Sequence, residues 1–110
     1  MAQYAILLYG KAPADASGLT PEEIEAHGRH GEDVERLGGS FVSAFALQPS
    51  TTAVSIRADG VTDGPFIDAK EVVAGGYVIE APDLDTAIAI AKLNPAIQQG
   101  GGVEVRPCLG

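Results

Sequence analysis

The sequence predicts an α+β domain in which two helices cover one face of a four-stranded antiparallel sheet. Three observations predict it. Strand-like apolar runs and helix-start signals follow one another in the order βαββαβ, both helices are short, and a turn-rich stretch with a small hairpin separates the second main strand from the third. Two right-handed β-α-β crossovers then put both helices on the same side of the sheet.

Gln3 to Tyr9 (QYAILLY) is an uninterrupted apolar run ended by Gly10, the pattern of a mid-sheet strand buried on both faces. Gly10 to Gly18 is a loop of small residues. Thr20-Pro21-Glu22-Glu23 supplies an N-cap, a first-turn proline and a glutamate at the third helical position, so a helix starts there and runs to about Leu37, where Gly38-Gly39 ends it. Steps of three and four give its inward stripe as Ile24, His27, Gly31, Val34 and Leu37 or Gly38, which places His27 inside and leaves His30 toward solvent.

Ser40 to Leu47 alternates as a second strand, closed by Gln48-Pro49-Ser50. Thr52 to Arg57 is a shorter strand that Ala58-Asp59-Gly60 turns back as a peripheral hairpin, near residues 51 to 67. Residues 61 to 76 (VTDGPFIDAKEVVAGG) show neither strand alternation nor a helical stripe, yet they concentrate Asp63, Asp68, Lys70 and Glu71, the profile of a functional loop. Gly76 to Ala81 is the third main strand. Asp83 caps a second helix that runs to about Leu93, with Leu84, Ala87, Ile88 and Ala91 inward, and Asn94-Pro95 stops it. Val103 to Pro107 is the last strand.

A chain of 110 residues, 45% hydrophobic, is expected to form one domain over residues 1 to 110 with one core. A net charge of -8 with seven scattered basic residues argues against nucleic acid as a partner. No apolar run is long enough for a membrane span and no signal-peptide pattern opens the chain, so a cytoplasmic protein is expected. The single cysteine, Cys108, excludes a disulfide framework, and no metal-ligand spacing is met, so neither metal nor organic cofactor is expected. Two helices cover only one sheet face. The apolar strands leave the other face in need of a second subunit, and a homodimer is expected.

The chain resembles the DGPF branch of the YCII-related family along its whole length. Matching segments are Leu7-Leu8-Tyr9-Gly10, the helix bearing His27, Leu47-Gln48-Pro49, Thr62-Asp63-Gly64-Pro65-Phe66, Lys70-Glu71, Gly75-Gly76-Tyr77 and the closing Val103-Glu104-Val105-Arg106-Pro107. The resemblance implies ferredoxin-like protomers paired sheet to sheet, in the manner of dimeric α+β barrels, with a cavity beside each interface. It also implies a site built on a helix histidine and an aspartate placed just before a proline after the second helix. Here that position is Asn94, which cannot ionise, so any carboxylate must come from elsewhere.

The sequence reading assigns that role to Asp63, which would fix the tautomer of His27 and leave the other ring nitrogen to act as a base. The alternative is that Asp63 only shapes the turn while Gly64 supplies a positive φ. Lys70 is a candidate anion contact, Glu71 a loop anchor, and Arg106 a further ligand or ion-pair group, with Glu104, Asp63 and Glu71 as its possible partners. Three function classes remain: a cofactor-free enzyme of isomerase or lyase type acting on a small organic compound, a small-molecule-binding module without catalysis, and a transcription-associated regulatory protein.

Overall fold

The computed structural model of the chain describes residues 1–109. Its main sheet contains β1 (Ala2–Lys11), β2 (Ser40–Ala46), β5 (Glu71–Ala81) and β6 (Gly102–Pro107), in the order β2-β5-β1-β6. Every neighbouring pair is antiparallel. With α1 (Pro21–Arg36) and α2 (Leu84–Ala91) this gives an α+β fold compatible with the expected ferredoxin-like arrangement. The hairpin of β3 (Val54–Arg57) and β4 (Gly60–Asp63) forms a separate two-stranded sheet. No helix among the described residues is long and apolar enough to cross a membrane.

Local chemistry fixes the helix starts as expected. Thr20 Oγ1 accepts from the Glu23 N–H, and Glu23 Oε1 accepts from the Thr20 N–H at 2.8 Å, which completes the capping box. Asp83 accepts from the Thr86 N–H at 2.8 Å and caps α2. One core lies between the sheet and both helices: Tyr4, Ile6, Tyr77, Ile79 and Ala81 from β1 and β5, Val34 from α1, and Ala87, Ile90 and Ala91 from α2. Both helices therefore pack on the same face.

Four expectations are corrected. β1 is mid-sheet, but its buried side chains, Tyr4 and Ile6, lie on the helix face alone, because nothing among the described residues covers the other side. In α2, Ile90 enters the core, where Gly39 leaves it room (a Cβ there would lie 3.0 Å from Ile90 Cδ1), while Leu84 is exposed. The stretch of residues 61 to 76 is half strand, since β4 takes its start and β5 begins at Glu71; its charged residues hid strands that pair at a sheet end. The fourth concerns α1 and is described with the site.

The helix-free face carries Phe45 and Leu7, which close over Gly76: a Cβ there would lie 2.9 Å from the Phe45 ring and 3.1 Å from Leu7 Cδ2. Val78 pairs with Ala5 beside them. Phe45 is 50% exposed. On the other edge, Gly101 lets the chain approach β1, where an added Cβ would sit 2.1 Å from the Tyr9 carbonyl oxygen. We predict that Gly101→Ala destabilises the fold by about 1–3 kcal/mol, the range for forced overpacking, whereas Gly18→Ala, whose Cβ meets nothing within 4 Å, is near neutral. Urea denaturation of both variants checks it.

Candidate functional site

The inward stripe of α1 is His27, His30, Val34 and Leu37, rotated from the expected one. Ile24 is 57% exposed and His30 only 5% exposed, the reverse of the expectation. The cause is chemical. Both ring nitrogens of His30 find partners inside: Tyr77 Oη lies 2.6 Å from Nε2, and Asp33 Oδ2 lies 3.2 Å from Nδ1 one turn along the helix. A buried imidazole so satisfied is tolerated where an unpaired one is not.

The network has a direction. Arg36 donates to Asp33 Oδ1 at 2.5 Å and holds its carboxyl below the usual carboxylate range. An ionised carboxylate only accepts, so His30 Nδ1 carries the proton and Nε2 accepts from the Tyr77 hydroxyl. Asn94 is nearly fully buried. Its Oδ1 accepts from the Ala96 N–H at 2.8 Å, which fixes the amide so that Nδ2 donates to Tyr77 Oη at 3.4 Å. Burial lowers the His30 pKa, outweighing the opposing pull of Asp33, and burial pushes Tyr77 up to about 12. Phe41 stacks on the Tyr77 ring at 6.3 Å between centroids, and His30 meets the same ring edge-on at 5.6 Å.

Beside this network α1 and the β2–β5 edge border an open cleft of about 750 Å³. It is hollow because its walls carry small residues: Gly28 and Gly31 on the helix, Ala44 and Ala46 on β2, and Gly75 on β5. Leu8, Leu19, Ile24, Val34 and Phe41 make it apolar, while His27, His30, Tyr77 and Asn94 supply its polar groups. That is the make-up of a small-molecule site. His27 also lines a smaller adjoining hollow of about 190 Å³, with Lys11, Asp15 and Gln99, and so stands where the two spaces meet. Gln99 Nε2 donates to the Glu23 carbonyl at 3.3 Å, leaving Gln99 Oε1 to accept from His27 Nε2 at 2.9 Å. The unprotonated nitrogen of His27 is then Nδ1.

The expected pairing of His27 with Asp63 is not formed. Asp63 ends β4, cross-strand from Val54 and exposed, and the partner of His27 Nε2 is Gln99. Gly64, with φ of 104°, turns the chain as expected; its N–H donates to the Ala53 carbonyl, and its own carbonyl accepts from Ser55 Oγ at 2.7 Å. Phe66 lies under Arg57, whose guanidinium carbon is 3.8 Å from the ring centroid. Pro65 and Phe66 line a different cleft of about 640 Å³, together with Glu71, Tyr9 and Pro49. Lys70 is exposed, and its carbonyl accepts from the Ala12 N–H. Arg106 takes the first of its expected partners, Glu104, in an ion pair on β6.

Asp33, Tyr77 and Gln99 went unread as participants in the sequence. The His30-x-x-Asp33 spacing was a legible signal, and Tyr77 lay within the Gly75-Gly76-Tyr77 segment, whereas Gln99 had none.

Comparison with known proteins agrees with the resemblance. The model of the YCII-related domain matches residues 3–109. The chain belongs to the YCII-related family. An uncharacterized protein of Rhizobium meliloti (strain 1021) is 34% identical over 112 residues, which cover 94% of this chain and 90% of the relative.

Because His30 is buried neutral, its folded pKa lies below the ordinary value. Between that value and about 6.5 the unfolded chain binds the extra proton, so stability falls as pH drops below about 6.5 and is independent of this group above it. Urea midpoints at pH 7.5, 6.5 and 5.5 should show this decline in the wild type and a shallower one in His30→Gln.

Proposed function

We propose that the chain takes a compact, largely apolar organic molecule into the cleft between α1 and the β2–β5 edge, and that His27 acts on it as a base in proton transfer of isomerase or lyase type. The observation that carries this reading is the fixed orientation of His27: Gln99 occupies Nε2, so the basic Nδ1 belongs to a side chain lining a space of ligand size. The cleft volume, about 750 Å³, suits one small molecule rather than a polymer. Binding without catalysis is the second reading, favoured by the apolar lining, and the same measurements separate the two.

A metabolite library screened by thermal shift should yield ligands that raise the melting temperature of the wild type but not of Gly31→Trp, whose indole fills the cleft. For such a ligand, solvent deuterium should wash into an acidic C–H position, and His27→Ala, compared at saturating ligand, should slow this by about 10²- to 10⁴-fold. Wash-in that is unchanged in His27→Ala removes His27 from the role, and binding with no wash-in leaves a binding module.

The protomer is also proposed to form a homodimer through the helix-free sheet face, on the strength of the exposed Phe45 beside Leu7 and Val78. Light scattering at micromolar concentration should give twice the 11.3 kDa chain mass, and Phe45→Asp should return it to one.

A further inference from the structure

We infer that the cleft selects ligands with a hydrogen-bond-donating head, an alcohol or amine on an apolar body, and discriminates against ketones and carboxylates of the same shape. The inference rests on the cleft assignment made above and deepens its binding reading, in which His27 Nδ1 accepts from the ligand head rather than from a C–H. Most side-chain protons of the polar groups that line the cleft are committed elsewhere, the second proton of the Asn94 amide being the exception. His27 Nε2 donates to Gln99, which leaves a lone pair on Nδ1. The Tyr77 hydroxyl proton goes to His30 Nε2 at 2.6 Å, and its oxygen receives one N–H from Asn94, so Oη keeps acceptor capacity only. The proton of His30 Nδ1 is held by Asp33, Asn94 Oδ1 accepts from the Ala96 N–H, and Asn94 Nδ2 gives one of its two protons to Tyr77 Oη.

The site therefore offers lone pairs at two side chains, His27 and Tyr77. A ligand hydroxyl or ammonium satisfies them on binding, whereas a carbonyl or carboxylate, with no proton to give, leaves both lone pairs desolvated without a partner. The net charge of -8 acts in the same sense, against anions. The fully donating lysine near this region, Lys11, lines the smaller hollow rather than the main cleft.

Four probes of one shape test this: cyclohexanol, cyclohexylamine, cyclohexanone and cyclohexanecarboxylate, titrated at pH 7.5 against the wild type while the ring resonances of His27 and Tyr77 are followed. The alcohol and the amine should bind at least about tenfold more tightly than the ketone, a difference of about 1.4 kcal/mol, and the carboxylate should bind weakest. In His27→Leu and in Tyr77→Phe the ratio of alcohol to ketone affinity should fall toward one; His27→Leu, at a half-buried position, keeps the test open if Tyr77→Phe does not fold. Ketone or carboxylate binding as tight as the alcohol, with the resonances of both residues shifting, overturns the lone-pair assignment while leaving the cleft as a binding site. No shift at either residue with any probe at saturating concentration overturns the cleft assignment itself.

Discussion

The hydrogen bond between Tyr77 and His30 is the contact on which the rest of the site depends. It joins the central strand β5 to α1 through the core, and it carries a polar pair into a region where unpaired groups cost about 1–3 kcal/mol each. Asp33 and Arg36 on one side and Asn94 on the other complete it, so that no buried side-chain polar atom among the described residues lacks a partner. By fixing the rotation of α1, this pair also decides which helix residues face the cleft. Ile24, Gly28 and Gly31 overlook the hollow because His30 takes the inward position.

Asn94 gives the network its polarity. A carboxylate in its place would only accept, and the Tyr77 hydroxyl would have two acceptors competing for one proton unless His30 became charged. The amide supplies a donor instead, and His30 stays neutral in its buried setting. The carboxylate in this network is Asp33, on the helix one turn from His30, which it orients. The space beside the network follows from an absence of side chains. Glycines on α1 and β5 and alanines on β2 leave the helix and sheet unable to close, and the apolar walls remain open to a ligand.

Much of the fold was legible in the sequence because local signals and burial agreed. Thr20, Pro21 and Glu23 could do little other than start a helix, and the QYAILLY run fitted only a central strand. The hairpin showed in its Asp59-Gly60 turn. What the sequence hid was rotation and reach. A stripe drawn through Ile24 and Gly31 is as periodic as one through His30, and only the long-range partner, Tyr77, forty-seven positions away, decides between them. The concentration of charge at Asp63, Lys70 and Glu71 looked like chemistry; in the structure it borders a strand end and a separate cleft, where Gly64 and the Arg57–Phe66 contact do structural work. Gln99 carries no local pattern at all, yet it sets the tautomer of His27.

Both halves of the account meet in the protonation of the two histidine rings. A long-range ¹H–¹⁵N correlation spectrum at pH 7.5 reads each ring directly. The account predicts opposite tautomers: His30 protonated on Nδ1 with Nε2 bare, and His27 protonated on Nε2 with Nδ1 bare. A charged His30, or two rings in the same tautomer, would contradict it.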